Sequence, residues 1–562
     1  MLETLFGEEP VYIPVSSQAG GAEAAMNALL VALRQRQAAD LAADLADTPQ
    51  PQAAALEELV LELSDFRFIE QGGVRRASAR ARLVYEPATP GQESVHSAQP
   101  WQLIAPIGPI EAEDLRWYLE KFAIWPNEIF RQLARQVEAD LVKWGQWLHQ
   151  AALPAAHREK VMQAWARTGD QAGRRFSVQV DAALEAGAPE ANQASARQAA
   201  TELLGLPWEL LHDGDAFLFQ GARPTHVRRR LPNTRDLALP VVATPIRILL
   251  ITARPEDNAC GYIDHRASAL PLVEAMEVLG GLVRLHLLSP PTLPALSQAR
   301  QRARDARQPY HVVHFDGHGV YDRSVGLGGL CFEDPQDRDK LDQRRHATVF
   351  TPELGALLRD HRVPLVFLQA CQTEMSDLAN ESVATTLLSV GVASVVAMSH
   401  SVLVETARRF VKAFYQALAQ GKRVGDAMLA GQRRLKDDSL RGRVFGVGEL
   451  RLADWFVPVL FQGKHDPQLF RATPSKQTQA DYQTALTRRL GRLPAAPTTG
   501  FIGRSRDLLA LERLLRDGRY AVLRGQGGEG KTALAAMPAR SPCWRPNCAD
   551  WVWTPPTPRW WR

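Results

Sequence analysis

The sequence predicts an α/β protein built around a mostly parallel sheet flanked by helices. Three observations lead there. From Pro245 onward, short apolar runs of strand type alternate with amphipathic helical stretches. Those runs, IRILLIT, HVVHF, PLVFLQ and SVVAM among them, are apolar almost throughout, as strands covered on both faces are. Two of them lead directly into reactive side chains, and in parallel sheets chemistry gathers at the carboxyl ends of strands.

Bulk properties narrow the class. A chain of 562 residues leaves room for several domains of about 150 residues each. With 45% hydrophobic and 23% charged residues and a net charge of +4, nothing global draws the protein toward nucleic acid or an anionic membrane. The cysteines, Cys260, Cys331, Cys371, Cys543 and Cys548, are odd in number and irregularly spaced. They form no disulfide framework and suit a reducing cytoplasm. The start, MLETLFGEEPVYIPV, is acidic where a signal peptide is basic. LLSVGVASVVAM, Leu387 to Met398, is too short to span a bilayer. The expectation is a cytoplasmic protein with no membrane span.

Along the chain, residues 1–100 read as an α+β accessory region, with a helix over Glu23 to Leu45 and a strand over Arg80 to Tyr85. Residues 101–240 read as mainly helical. In NEIFRQLARQVEADLVKWGQWLHQ apolar residues recur three or four apart, so its Trp and Leu stripe reads as core. LPWELLHD follows at Leu206, and then HVRRRLP, read as a solvated strand end with a phosphate-binding patch as the alternative. The strand–helix alternation occupies 245–467 and ends on FVPVLF. Residues 468–500, which include LPAAPTTG, read as a linker. A second α/β pattern opens over 501–540 with FIGRSRDLLALERLL, a strand AVLR and the loop GQGGEGKT. The tail, 541–562, holds five tryptophans and five prolines and fits no helix or strand period.

The chemistry concentrates in HVVHFDGHG, His311 to Gly319, and VFLQACQTE, Val366 to Glu374. A lone cysteine closing an apolar strand is ordinarily a packing residue, and a lone loop histidine is ordinarily a satisfied one. A metal set of His311, His314, Asp316 and His318 is disfavoured, because strand alternation sends His311 and His314 to opposite faces. Together, however, His318 and Cys371 sit at the ends of two strands, 371 − 318 = 53 residues apart. An imidazole there can take the thiol proton and return it to a leaving amine. Gly317 or Gly319 lets the backbone approach a substrate carbonyl, and one of their amides with that of Cys371 could form an oxyanion hole. Gln369-Ala370-Cys371-Gln372 matches the caspase signature, with Thr373 where glycine is expected and a histidine at the expected distance upstream.

These motifs, with SVGVASVVAMSHSVLVETARRFVKAFYQALAQGK and DWFVPVLFQG, resemble the CHAT domains, caspase-like and separase-like cysteine peptidases of bacteria. The resemblance covers roughly Pro245 to Pro467, and LPWELL and LLITARPED, ahead of the dyad, are also similar to segments of these proteins. It implies a caspase-like fold, a His318–Cys371 dyad, no cofactor for the peptidase step and no metal. It also implies a protein substrate cut beyond a residue pocketed near the dyad, where Asp316 and Glu374 could supply acidity. Signalling, defence or regulated cell death would be the setting, with a regulatory partner or ligand at the N-terminal region. A non-catalytic caspase-like scaffold stays open as the alternative.

GQGGEGKT fits a phosphate-binding loop, with Gly525 and Gly530 shaping it, Lys531 neutralising phosphate and Thr532 ligating magnesium. With FIGR it resembles the start of a STAND-type ATPase, which implies ATP and magnesium in an intact relative and leaves a nucleotide-controlled signalling protein open. The following helix meets Pro538 at once, and a proline inside a helix costs on the order of 3 kcal/mol. With about 30 residues remaining and no second acidic strand, 501–540 reads as an incomplete nucleotide domain.

Overall fold

The computed structural model describes residues 56–471 and 503–540, apart from single positions and short internal stretches that include 168–172, 182–189, 235–238, 266–268, 323–326, 372–376, 445–447 and 518–520. The expected helix over Glu23 to Leu45, the linker and the Trp-rich tail lie outside the described residues. So do residues 1–55.

Fourteen strands join one sheet among the described residues. In chain order they begin with β1 (Leu56–Gln71), β2 (Val74–Glu86), β3 (Val95–His96), β4 (Trp101–Ile104), β5 (Gly173–Val180) and β6 (Thr225–Arg230). The alternating region adds β7 (Ile246–Thr252), β8 (Val283–Leu287), β9 (Val312–Asp322), β10 (Leu327–Glu333), β11 (His346–Phe350), β12 (Leu365–Cys371) and β13 (Ser394–Met398). A small separate hairpin, β14 (Leu440–Val444) with β15 (Gly448–Arg451), precedes the last sheet strand, β16 (Pro458–Gln462).

The sheet consists of two parallel blocks. In one, β8, β7, β9, β12 and β13 run parallel. In the other, β16, β6, β5 and β1 run parallel. An antiparallel seam, β13 against β16 with Ser394 opposite Gln462, joins them. Antiparallel hairpins close the ends, β2 on β1 and β10 with β11 on β9. The sheet therefore runs without a break across residues that the sequence divides into accessory regions and a third domain. Helices cover it: Glu190–Gly205 lies on β1 and β2, Asp377–Ser389 on β9, β10 and β13, and Val424–Asp437 on β6 and β16.

Most local readings hold. The long helix Glu128–Ala152 is capped by Asn127, whose side chain accepts from the Phe130 amide at 2.9 Å. Its stripe of Val137, Leu141, Trp144 and Leu148 is buried core. Pro364–Gln369 and SVVAM become β12 and β13, whose described side chains are buried.

The basic run HVRRRLP differs from expectation. It is neither solvated nor open to phosphate: all six residues of β6 are buried. Arg228 reaches the Glu58 carboxylate at 2.7 Å, and Arg175 reaches it at 2.5 Å. Arg229 pairs with Glu209 of the LPWELL segment. The guanidinium groups hold the Glu58 carboxyl far below its ordinary range, although burial alone would raise it. Arg228 also donates to the Gly463 carbonyl at 2.8 Å, beyond β16, so the buried charges link the second block to the chain that leaves the seam.

Removing Glu58 strands Arg228 in the interior. Glu58→Ala is expected to cost about 3–5 kcal/mol in denaturant unfolding, the usual penalty for breaking a buried ion pair. A second expectation concerns pH. Burial pushes His226 and His314 down to about 4, so both stay neutral in the fold while an unfolded chain protonates them below roughly 6.5. Their contribution is complete above that pH and is lost as pH falls toward 4, by up to about 3 kcal/mol per histidine. The melting temperature followed between pH 7 and 4 checks it.

Candidate active site

Parallel pairing of β12 with β9 runs from Leu365 opposite Val312 to Cys371 opposite His318. The last residue of one strand therefore stands beside the histidine of its neighbour. His318 itself departs from expectation in one respect: it lies within a strand and not on a loop after HVVHF. The strand continues because β10 takes over beyond the end of β7, pairing Cys331 with His318 and Leu330 with Gly319.

The imidazole of His318 is buried, and its Nε2 lies 2.7 Å from the Gly261 carbonyl oxygen. A carbonyl can only accept, so Nε2 carries the proton and Nδ1 keeps its lone pair. Nδ1 has no hydrogen-bond partner among the described residues. Burial lowers the affinity of the ring for a second proton; the Gly261 carbonyl opposes this in part, Arg254 lowers it further, and Asp316 and Asp257 add weaker raising effects. The ring is thus held as a neutral base with one fixed tautomer. Gly261 was not legible in the sequence, since a backbone acceptor carries no side-chain signature.

Asp316 lies on the same strand, two residues before His318, fully buried and paired with Arg254. Arg254 also donates to the Asp316 main-chain oxygen at 2.7 Å and to that of Ala253 at 2.9 Å. The carboxylate therefore anchors β9 to the segment that follows β7. Gly317 is required sterically: a Cβ there would lie 2.9 Å from the Phe315 ring and 3.2 Å from the Ala253 oxygen. Gly319 enters the β9–β10 hairpin. Glu374 lies outside the described residues. His314 stacks on Phe367 with ring centroids 4.3 Å apart and meets the Tyr415 hydroxyl at 3.3 Å. His311 engages Arg247. These histidines have separate partners and make no common metal site.

A second helix reaches the same region. Ser505–Asp517, from the FIGR stretch, docks against the loop that carries Gly261. Glu512 bonds His265 at 2.8 Å, Ser505 donates to Asp264 at 2.6 Å, and Arg506 lies over the Tyr262 ring and pairs with Glu256. Arg513 donates to the Leu341 carbonyl at 2.7 Å and to Glu333, a buried carboxylate that also takes Arg344 at 2.6 Å and the Arg254 amide at 3.3 Å. Glu333 thereby connects the docked helix to Arg254 and, through it, to Asp316.

The glycine-rich loop is less regular than its sequence suggests. AVLR is not a strand: residues 521–526 carry no regular structure. A four-residue strand needs neighbours to pair with, and among the described residues none adjoins it. Gly525, Gly528 and Gly530 have positive φ. The Lys531 ammonium donates to the carbonyls of Gly525 and Gln526, and Thr532 is an exposed residue of the helix that follows. That helix, Lys531–Arg540, continues through Pro538 where a break was expected. Pro538 gives up its bond to the Leu534 carbonyl, which a proline ring also crowds, but only two helical residues follow it.

The fold is that of an α/β protein in which Cys371 and a buried histidine stand opposite each other in register on two parallel strands. The profile of the CHAT domain matches residues 196–483, more than half of the sequence, and the chain belongs to that family. No curated protein matches it. Among solved structures, Saccharomyces cerevisiae separase in complex with securin is similar over 73% of this chain and 30% of its own, at 10% identity and a TM-score of 0.36. The Arg-specific cysteine proteinase gingipain R is similar over 61% of this chain and 77% of its own, at 12% identity and a TM-score of 0.28. The complex of Porphyromonas gingivalis RgpB pro- and mature domains aligns with 60% of this chain and 77% of its own, at 10% identity and a TM-score of 0.29. The aligned part thus spans under a third of the separase chain. Among the described residues no helix is long and apolar enough to cross a membrane.

Arg513→Met is expected to loosen the docked helix. A hydrogen bond to a charged group contributes about 1.5–3 kcal/mol. Amide exchange across Ser505–Asp517 should therefore accelerate by at least about tenfold, read by mass spectrometry, while exchange in β1 stays unchanged.

Proposed function

We propose that this chain is a cysteine endopeptidase whose nucleophile is Cys371 and whose general base is His318. The observation that carries the reading is the pairing of Cys371 with His318 at the same level of adjacent parallel strands. The tautomer of the histidine supports it, because Nε2 is committed to Gly261 and leaves Nδ1 for the proton.

In this mechanism Nδ1 removes the thiol proton and the sulfur attacks a peptide carbonyl carbon. The carbonyl π pair moves onto oxygen, and backbone amides near Cys371 stabilise that charge. The imidazolium, steadied by the Gly261 carbonyl, returns its proton to the departing amine as the C–N bond breaks. Water, deprotonated by the same ring, then releases the acyl group and restores the thiol. The Asp316 carboxylate, buried against Arg254, serves to hold the strand, so an acidic contribution to a substrate pocket falls to Glu374. No cofactor enters the reaction. The substrate is a specific protein, and signalling or defence by cleavage is the setting that the family resemblance suggests.

The test uses a peptide-like thiol-reactive probe on the full chain. Labelling should fall on Cys371, vanish in Cys371→Ala, and slow markedly in His318→Ala. Removal of the base should lower any peptide cleavage by about 10²–10⁴-fold. New protein N-termini compared between cells expressing wild type and Cys371→Ala would name the substrate. Equal labelling of wild type and His318→Ala, with identical N-terminal profiles, would instead favour a scaffold.

A further inference from the structure

Beside the dyad, but apart from it, lies a group of ligand atoms that the peptidase reaction does not use. The loop after β7 contributes Asp257 and Cys260, and the first residue of β11 contributes His346. A carboxylate oxygen, a thiol sulfur and an imidazole nitrogen there lie within 4.8 Å of one another. We propose that Asp257, Cys260 and His346 bind a divalent cation of the zinc class, with the neighbouring Cys331 thiol or a water as fourth ligand.

The local structure is built for the purpose before any ion arrives. The Asp257–Cys260 turn is closed on itself: the Cys260 amide donates to Asp257 Oδ1 at 2.9 Å, and the Asp257 amide donates to the Cys260 carbonyl at 3.1 Å. Asp257 Oδ2 accepts from the His346 amide at 2.8 Å and stands 2.6 Å from its Nδ1. The Glu256 amide, bonded to the Arg344 carbonyl at 2.9 Å, fastens the loop to the same segment. Three ligands from two stretches of chain are thereby held in fixed relation, as a preorganised site requires.

Burial is graded across the group. Cys260 is fully buried, whereas the Asp257 and His346 side chains are 21% and 28% exposed. An ion would enter from the carboxylate and imidazole side and find the sulfur at the floor. The Cys331 thiol is buried as well and neighbours that of Cys260.

The donor set selects the ion. Hard cations such as magnesium and calcium take oxygen ligands, and this group offers only one carboxylate. Zinc accepts sulfur, nitrogen and oxygen together, at about 2.0–2.3 Å, usually with four ligands. On binding, the Cys260 thiol releases its proton to solvent and its sulfur donates a lone pair to the ion. The Asp257–His346 hydrogen bond gives way to two bonds to the metal: His346 Nδ1 gives its proton to water while Nε2 takes one up, and Oδ1 keeps the Cys260 amide as an outer partner. Gly261 follows Cys260 directly, so the ion would fasten the loop that orients His318. That consequence rests on the peptidase reading; the binding itself does not.

Cobalt(II) titration of the metal-free full-length protein tests the site. One equivalent should bind and produce a thiolate-to-cobalt charge-transfer absorption that zinc displaces. Cys260→Ser should lower that absorption at least by half, and Cys260→Ser combined with Cys331→Ser should abolish it. His346→Gln, at a partly exposed position, should weaken zinc binding by about a hundredfold or more, since even an outer-shell partner is worth 10–100-fold. The same absorption should survive in Cys371→Ala. Zinc should also raise the melting temperature of the wild type but not of His346→Gln, which reads the site even if Cys260→Ser folds poorly. Absence of the absorption, its undiminished strength in Cys260→Ser, its persistence in the double cysteine variant, its loss in Cys371→Ala, or unchanged zinc affinity in His346→Gln would each overturn the proposal.

Discussion

The parallel ladder between β9 and β12 is the constraint on which the site depends. A strand slipped by one residue turns every side chain to the opposite face, so register decides whether two reactive groups can meet at all. Here the apolar runs on both strands fix the register. Val312, Val313 and Phe315 on one strand and Leu365, Val366, Phe367 and Leu368 on the other are all buried, so a slip would leave core volume unfilled. The chemistry at the strand ends is therefore set by packing several residues away.

Around that ladder, buried charge does what apolar contact alone would not. Asp316 with Arg254 and Glu333 with Arg344 hold the segments after β7 and on β10 against the histidine strand. Glu58 with Arg228 performs a similar task far off in the second block. Such pairs cost desolvation and add little net stability, yet each accepts only one geometry. A loop whose single carbonyl must meet Nε2 of His318 needs that definition more than it needs additional burial.

Much of this was legible beforehand because it follows from periodicity. Apolar strands alternating with helices announced the parallel sheet, and HVVHFDGHG and VFLQACQTE announced the two strands that meet. What escaped were features that depend on partners distant in sequence. HVRRRLP looked solvated because the carboxylates that neutralise it, Glu58 and Glu209, lie 170 and 20 residues away from Arg228 and Arg229. AVLR looked like a strand because four apolar-leaning residues carry the propensity, whereas a strand needs a partner to pair with. The acceptor of His318 is a glycine carbonyl, which any residue at that position would also possess.

The helix Ser505–Asp517 lies past what the sequence reads as a linker, yet it buries Glu512 and Arg513 against the loop beside the dyad. Its docking is intramolecular, and a covalent tether of that kind confers an effective concentration on the order of millimolar. A free peptide of the same sequence would have to reach that concentration to take its place. The face around His265 and Glu333 is therefore closed to weak competitors, and a partner that opens it must bind either that face or the displaced helix tightly enough to outweigh the tether.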